Sequence, residues 1–438
     1  MVNPEDHARP FLTDRQAAQI YNRRIRPTIT GTAQDNPVAV FTAAQPGAGK
    51  TTLRAAFLEM LGRQDAYLLD GDALLAQHPR FEALSRNNDL TAATIVGEEL
   101  AGRWWTRSAR LVRIQRLDVL IDSPLGFEEW ATGRFREFAN RDYALVGAFL
   151  AVHDATSLQG MVHRRHEARR PDREGYGRFP PIEIHDAAYA GVLDTADRFD
   201  ESGHAVYVLR RGPAVLHRNE RRPDGTWDLA VSTRQAITTE RQRPWNGQES
   251  AAFLQRQGEL RAAMTPEWRD ILDQIDARAA GVINPLTLLD DVRLADYQRQ
   301  SAHALEAAGQ LAEQAAEHSK ELTRQYRTGE SARKIEQLRE LGATPEQVAR
   351  AVDAQREDRW HAGRETSVRN DQVRHLQRTQ ASVQTETARR AALDPKQRIL
   401  EQAGRQQHVA LHPARAQVTL PSPQGWSAQG PSQGGLSR

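Results

Sequence analysis

Lys50 is the only lysine in the first 319 residues, and it lies in the run AQPGAGKTT from Ala44 to Thr52. A lysine is a compact, flexible point charge that fits a phosphate held inside a tight backbone loop, where a planar guanidinium does not. Gly47 and Gly49 let the loop turn its N–H groups inward, and the helix that follows adds the positive end of its dipole. Lys50 is therefore read as the ligand of β- and γ-phosphates and the Thr51 hydroxyl as a Mg²⁺ ligand. The run is a P-loop in which Ala44 replaces the first glycine of G-x-x-x-x-G-K-[ST]. A glycine turn with a chance lysine is the competing reading. Context separates the two: PVAVFTA at 37–43 is strand-like, and after the loop Leu53, Phe57 and Leu61 recur at helical spacing.

A second set of chemistry-bearing residues follows in LLDGDALLAQHP, which holds Asp70, Asp72 and the pair His78-Pro79. Phosphoryl transfer to an alcohol requires a carboxylate that orients the hydroxyl and accepts its proton. Asp72 is the candidate base; the alternative is that Asp70 or Asp72 merely caps the next helix. Asp122, closing LIDSPLGF, is either a Walker-B-like acid, acting on Mg²⁺ through water or on a substrate hydroxyl, or a plain N-cap. Arg164, Arg165, Arg169, Arg170, Arg173 and Arg178 crowd into fifteen residues. Such a segment is able to close on phosphates as a lid and stabilise the transferring group, although most of these arginines fit a solvated helix face.

These residues need a frame that brings them together. Runs at 66–70, 118–122, 143–152 and 204–211 read as strands, each after a helical segment, which predicts a parallel sheet covered on both faces with its ligand off the carboxyl ends. A helix is expected to start near Thr13, with Thr13 and Gln16 as a capping box. Past Pro213 the character changes. A hairpin with Asp224-Gly225 at its turn is followed by helices expected at about 250–280, 291–326, 330–341 and 345–390. The fold class is thus α/β: a P-loop kinase core with a parallel sheet flanked by helices, plus an α-helical C-terminal region and a disordered tail. The expected division is 1–35 as a helical lead, 36–212 as the kinase domain, 213–240 as hairpin and linker, 241–411 as the helical region and 412–438 as the tail.

Composition sets outer bounds. The 438 residues suffice for two or three domains, and the absence of cysteine excludes disulfides and cysteine-held metal centres. With 59 basic and 57 acidic residues the net charge is +2, so no large field steers nucleic acid, and mixed charges at 330–355 read as a plain helical hairpin rather than a DNA-binding helix pair. Neither a leader-like apolar segment nor a run of eighteen apolar residues is seen, so a cytoplasmic protein with no membrane span is expected, delivery into another cell remaining open.

Residues 37–212 resemble the kinase core of the zeta toxin family, on the strength of QPGAGK at 45–50, Gly71-Asp72 with His78-Pro79, and an arginine-bearing lid followed by His185-Asp186. The resemblance implies a kinase that uses ATP and Mg²⁺ to phosphorylate the 3′-hydroxyl of the amino sugar in UDP-N-acetylglucosamine, and an antitoxin partner. It implies nucleotide binding by Gln45, Pro46, Gly47, Ala48, Gly49, Lys50, Thr51 and Thr52, with Thr51 on the metal, and Arg211 near the adenine. By the same resemblance Lys50, Asp72, Arg165 and Arg178 are catalytic, with Asp72 the base and the two arginines clamping the γ-phosphate. Asp72, His78 and Asp122 would meet the sugar nucleotide. Asp122 stands where the family often has glutamate, and Pro124 where a small hydroxylic residue is expected. The acceptor is therefore open to another metabolite such as NAD, and a nucleotide-switched protein-interaction module is the alternative from another class.

Overall fold

In the computed structural model the described residues are 12–87, 96, 101–122, 128–170, 179–211, 214–220, 222, 224, 226, 231–418, 426–427 and 430–431. The chain forms two compact units, Met1–Ile283 and Asn284–Arg438.

The first unit is built on a six-stranded sheet: β1 Val38–Ala43, β2 Tyr67–Asp70, β3 Val119–Asp122, β4 Ala144–Leu150, β5 Ala205–Leu209 and β6 Val215–Asn219. Their order is β2-β3-β1-β4-β5-β6. The first five run parallel and β6 is antiparallel to β5. Its helices are α1 Asp14–Ile20, α2 Lys50–Met60, α3 Gly71–Leu75, α4 Phe81–Asn87, α5 Thr106–Gln115, α6 Glu128–Ala139, α7 Asp154–Ala168, α8 Ile182–Ser202, α9 Thr233–Gln242, α10 Gly247–Ala263 and α11 Arg269–Ala279.

The strands are apolar at consecutive positions because both faces are covered. Phe41 points to one face, where Phe135 and Phe199 meet it edge-on at 4.7 and 6.2 Å, while its neighbour Val40 joins Leu53, Phe57, Leu120 and Tyr207 on the other. Thr13 and Gln16 form the expected capping box, and Ala17 and Tyr21 deliver α1 and the turn after it to the core.

Helix α9 lies where the sequence suggested hairpin and linker. Ser232 caps it, Ile237 is fully buried, and Asp200 accepts both the N–H and the O–H of Thr233, at 2.8 and 2.6 Å. The stretch expected as one helix at 250–280 is broken between α10 and α11 by Pro266, at the first position of a short 3₁₀ turn. Helices α10 and α11 pack on α7, and α9 packs on α8. The first unit therefore runs on to Ile283. Of the hairpin, β6 is described, whereas the turn residue Gly225 lies outside the described residues.

The second unit contains α12 Pro285–Leu288, α13 Asp291–Arg327, α14 Glu330–Glu340, α15 Pro345–Ala391 and α16 Pro395–Leu411. Helices α13 and α15 run antiparallel, with Thr366 Oγ1 donating to the Ala315 carbonyl and Val383 packed with Leu294 and Tyr297. Ala308 and Ala312 are buried along this contact. Gly342 leaves α14 at φ 83°, Thr344 caps α15 and Pro345 occupies its first turn, as the local sequence predicts. Most of the expected tail, 419–425, 428–429 and 432–438, lies outside the described residues. Among the described residues no helix is long and apolar enough to cross a membrane.

Candidate functional site

The loop from Ala44 to Gly49 leaves β1 at the carboxyl edge of the sheet and enters α2. Gly47 and Gly49 take φ of 76° and 99°, values that L side chains rarely adopt. A Cβ on Gly47 would also stand 2.0 Å from the Ser157 carbonyl of α7, so this position excludes every other residue. Ala44 has no positive φ, which is why alanine is accepted at the motif's first glycine position.

Lys50, on the first turn of α2, is half-buried and donates to the Ala44 carbonyl at 3.0 Å. Burial pushes its pKa down to about 8; the Asp72 and Asp70 carboxylates oppose this, and Arg164 and Arg54 add to it. A cation so desolvated and crowded by arginines suits an incoming polyanion. Thr51 and Thr52, next on the helix, are exposed. Donor, cation and hydroxyl thus fit a Mg²⁺-nucleotide phosphate chain.

The two carboxylates after β2 divide their work. Asp70 Oδ1 accepts the Asp72 N–H at 2.8 Å and caps α3, while Asp70 Oδ2 pairs with Arg54 at 3.1 Å. Asp72, exposed in the first turn of α3, directs its charge at Lys50. Asp122, the last residue of β3, is aligned in register with Asp70 and Thr42, accepts from Thr42 Oγ1 at 3.4 Å and pairs with Arg54. Residues 123–127, which an N-cap at Asp122 would serve, lie outside the described residues. His78 is 2% exposed, with Nδ1 accepting the Arg80 N–H at 3.1 Å.

Sequence reasoning passed over Arg54. It stands four residues after Lys50, one helical turn along the same face, and it ties the ends of β2 and β3 together. That spacing was the available signal.

On α7 the arginines diverge. Arg164 is the one whose charge is felt at Lys50. Arg165 lies over the Trp268 ring at 4.4 Å, and Trp268 meets Phe179 edge-on at 4.9 Å. Arg173, Arg178 and Pro124 lie outside the described residues.

Beneath the loop, the Gln45 side chain is fully buried. Its Nε2 donates to the Val152 carbonyl at 2.9 Å and to Ser157 Oγ at 3.0 Å. Any hold it has on a nucleotide is therefore through backbone. Pro46 is half-buried and Ala48 fully buried in the same loop. On the loop's outer side Arg211 donates to the carbonyls of Gly47 and Ala48 at 2.8 and 3.3 Å. Arg211 also borders a cleft of about 280 Å³ with Thr156, Gly160, Trp245, Phe253 and Arg256.

The zeta toxin family model matches residues 22–222. A structure from the PezAT chromosomal toxin-antitoxin system of Streptococcus pneumoniae is similar at 17% identity and a TM-score of 0.49, covering 57% of this chain and 99% of that one. An AvrRxo1-ORF1:ORF2 complex with ATP is similar at 13% identity and a TM-score of 0.35, covering 55% and 80%. No curated protein matches the chain.

Proposed function

We propose, for a chain whose residues 22–222 form a zeta toxin domain, ATP- and Mg²⁺-dependent phosphorylation of the 3′-hydroxyl of the amino sugar in UDP-N-acetylglucosamine. The observation that carries this reading is Asp72 set against Lys50 at the carboxyl edge of the sheet, with Asp70 already taken up as the helix cap. A nucleotide-binding switch needs the lysine but has no use for a second carboxylate beside it.

Bound MgATP would supply the electrophilic phosphoryl group and the divalent charge. The backbone N–H groups of residues 47–51 and Lys50 would hold the β- and γ-phosphates, and the Thr51 hydroxyl would hold the metal. Asp72 orients the acceptor hydroxyl and takes its proton. Arg54 keeps Asp122 in place at the sheet edge, and Asp122 and His78 are the side chains assigned to the acceptor. Arg164 supplies a cation for charge developing on the transferring group, beside Arg165 and Arg178, to which the family resemblance gives the clamp on the γ-phosphate. Arg211 and the cleft beside it take the base. An antitoxin that covers this site is the partner the family resemblance supports.

The test is turnover with purified protein. Asp72→Asn should lower kcat by about 10²- to 10⁴-fold, the usual worth of a positioned base, with nucleotide affinity kept. Arg164→Ala should reduce kcat more than Arg165→Ala does. Equal turnover in Asp72→Asn and wild type would remove the assignment.

A further inference from the structure

Two sequence features take no part in the chemistry above: Gln45 ahead of the glycine loop and the pair His185-Asp186. The structure joins them. Arg241 donates to Gln45 Oε1 at 3.3 Å, Gln45 Nε2 donates to Ser157 Oγ at 3.0 Å, and Ser157 Oγ lies 2.8 Å from His185 Nε2. His185 Nδ1 lies 2.9 Å from Asp186 Oδ1, and Arg278 of α11 grips both Asp186 oxygens at 2.6 and 2.7 Å. Gln45, Ser157 and His185 are all fully buried.

Donor counting fixes the direction of the chain. A carboxylate held by an arginine accepts only, so His185 Nδ1 carries the proton and donates it to Asp186. In the neutral ring Nε2 then accepts, and the Ser157 hydroxyl is its donor; turning that proton to the Asp154 carbonyl, 3.0 Å away, would leave Nε2 unsatisfied. Burial holds the His185 pKa below its ordinary value, in keeping with a neutral ring. Ser157 Oγ, having given its proton, accepts from Gln45. The order Ser–His–Asp resembles a hydrolytic triad, but a serine sealed under the loop reaches no acyl substrate.

We infer that Asp186 and Arg278 are positioning residues for the nucleotide loop, acting on its backbone through His185, Ser157 and Gln45. A second contact supports the same path: the Ser157 carbonyl presses on Gly47, and Gly160, one turn on, lies so near the Gly47 carbonyl that a Cβ there would stand 2.5 Å from it. Arg278 also reaches Asp154 at 3.4 Å, so α11 fixes the start of α7 where it bears on the loop. Kinase activity as proposed above is the premise of this inference, and the loop's hold on nucleotide is what the chain controls.

The test is a double-mutant cycle on the full chain, with MgATP affinity read by calorimetry. Arg278→Gln and Ser157→Ala break the chain at different links. Each should weaken MgATP about tenfold, and the double variant should also lose about tenfold, because a chain already broken is not broken again. Arg278→Lys, which keeps the charge and one contact, should fall between wild type and Arg278→Gln. A double variant that loses about a hundredfold, the product of independent losses, would overturn the chain. So would an Arg278→Gln protein that binds as wild type does. If Arg278→Gln does not fold, Asp186→Asn, which keeps the side chain's size, replaces it in the cycle. A wild-type protein that does not bind MgATP overturns the kinase reading itself, an outcome distinct from variants that bind equally.

Discussion

Lys50 concentrates the electrostatics of the site. With its pKa near 8 instead of 10.5, the folded chain sheds this proton first, so between those values the unfolded chain holds more protons and folding gains stability as pH rises. Phosphates reverse the shift by favouring the charged amine. Nucleotide binding at pH 8 should therefore draw in about half a proton at Lys50, and affinity should fall as pH rises further. Calorimetry in buffers of different ionisation enthalpy measures this uptake, and Lys50→Met should abolish it; uptake unchanged in the variant would place the titrating group elsewhere. The residues whose positions were legible in the sequence were those set locally: a lysine among glycines, and aspartates at the end of a strand or two residues past it. Whether Asp70 or Asp72 is the cap was not readable, because it depends on which carboxylate meets the Asp72 N–H. Arg54 was missed because its partners come from the ends of two other strands.

At the scale of elements, the glycine loop depends on α7 as much as on its own sequence. Gly47→Ala should be severely destabilising and should abolish nucleotide binding, since it adds to the strain of a positive φ, about 1 kcal/mol or more, a clash with the Ser157 carbonyl. Gly62 has a similar φ of 65° with nothing within 4 Å of its absent Cβ, so Gly62→Ala should cost only about 1 kcal/mol. Thermal melts of the two variants compare them directly, and equal losses would show that the loop is not clamped by α7. The five parallel strands were legible because a sheet buried on both faces writes itself as short apolar runs. Helix α9 was not, because what makes it a helix is tertiary: a buried Ile237 and an Asp200 carboxylate on α8 that receives Thr233.

For the molecule as a whole, the compact unit that carries the P-loop extends to Ile283, well past residue 212, where the domain was expected to end. Helices α10 and α11 bury Phe253, Leu254, Leu260, Leu272 and Ile275; the 3₁₀ turn between them supplies Trp268 to α7, and α11 supplies Arg278 to α8. A fragment of residues 1–283 should fold and bind MgATP as the full chain does, while one ending at 212 should not fold; circular dichroism and calorimetry distinguish these outcomes, and a stable nucleotide-binding fragment 1–212 would contradict the packing described. The proposed reaction is open to direct test. Mass spectrometry of UDP-N-acetylglucosamine and NAD, each incubated with the full chain, ATP and Mg²⁺ beside an Asp72→Asn control, tests it most directly. One added phosphate on the sugar nucleotide is expected, absent in the control. Phosphorylated NAD with an unchanged sugar nucleotide, or equal product from the control, would contradict it.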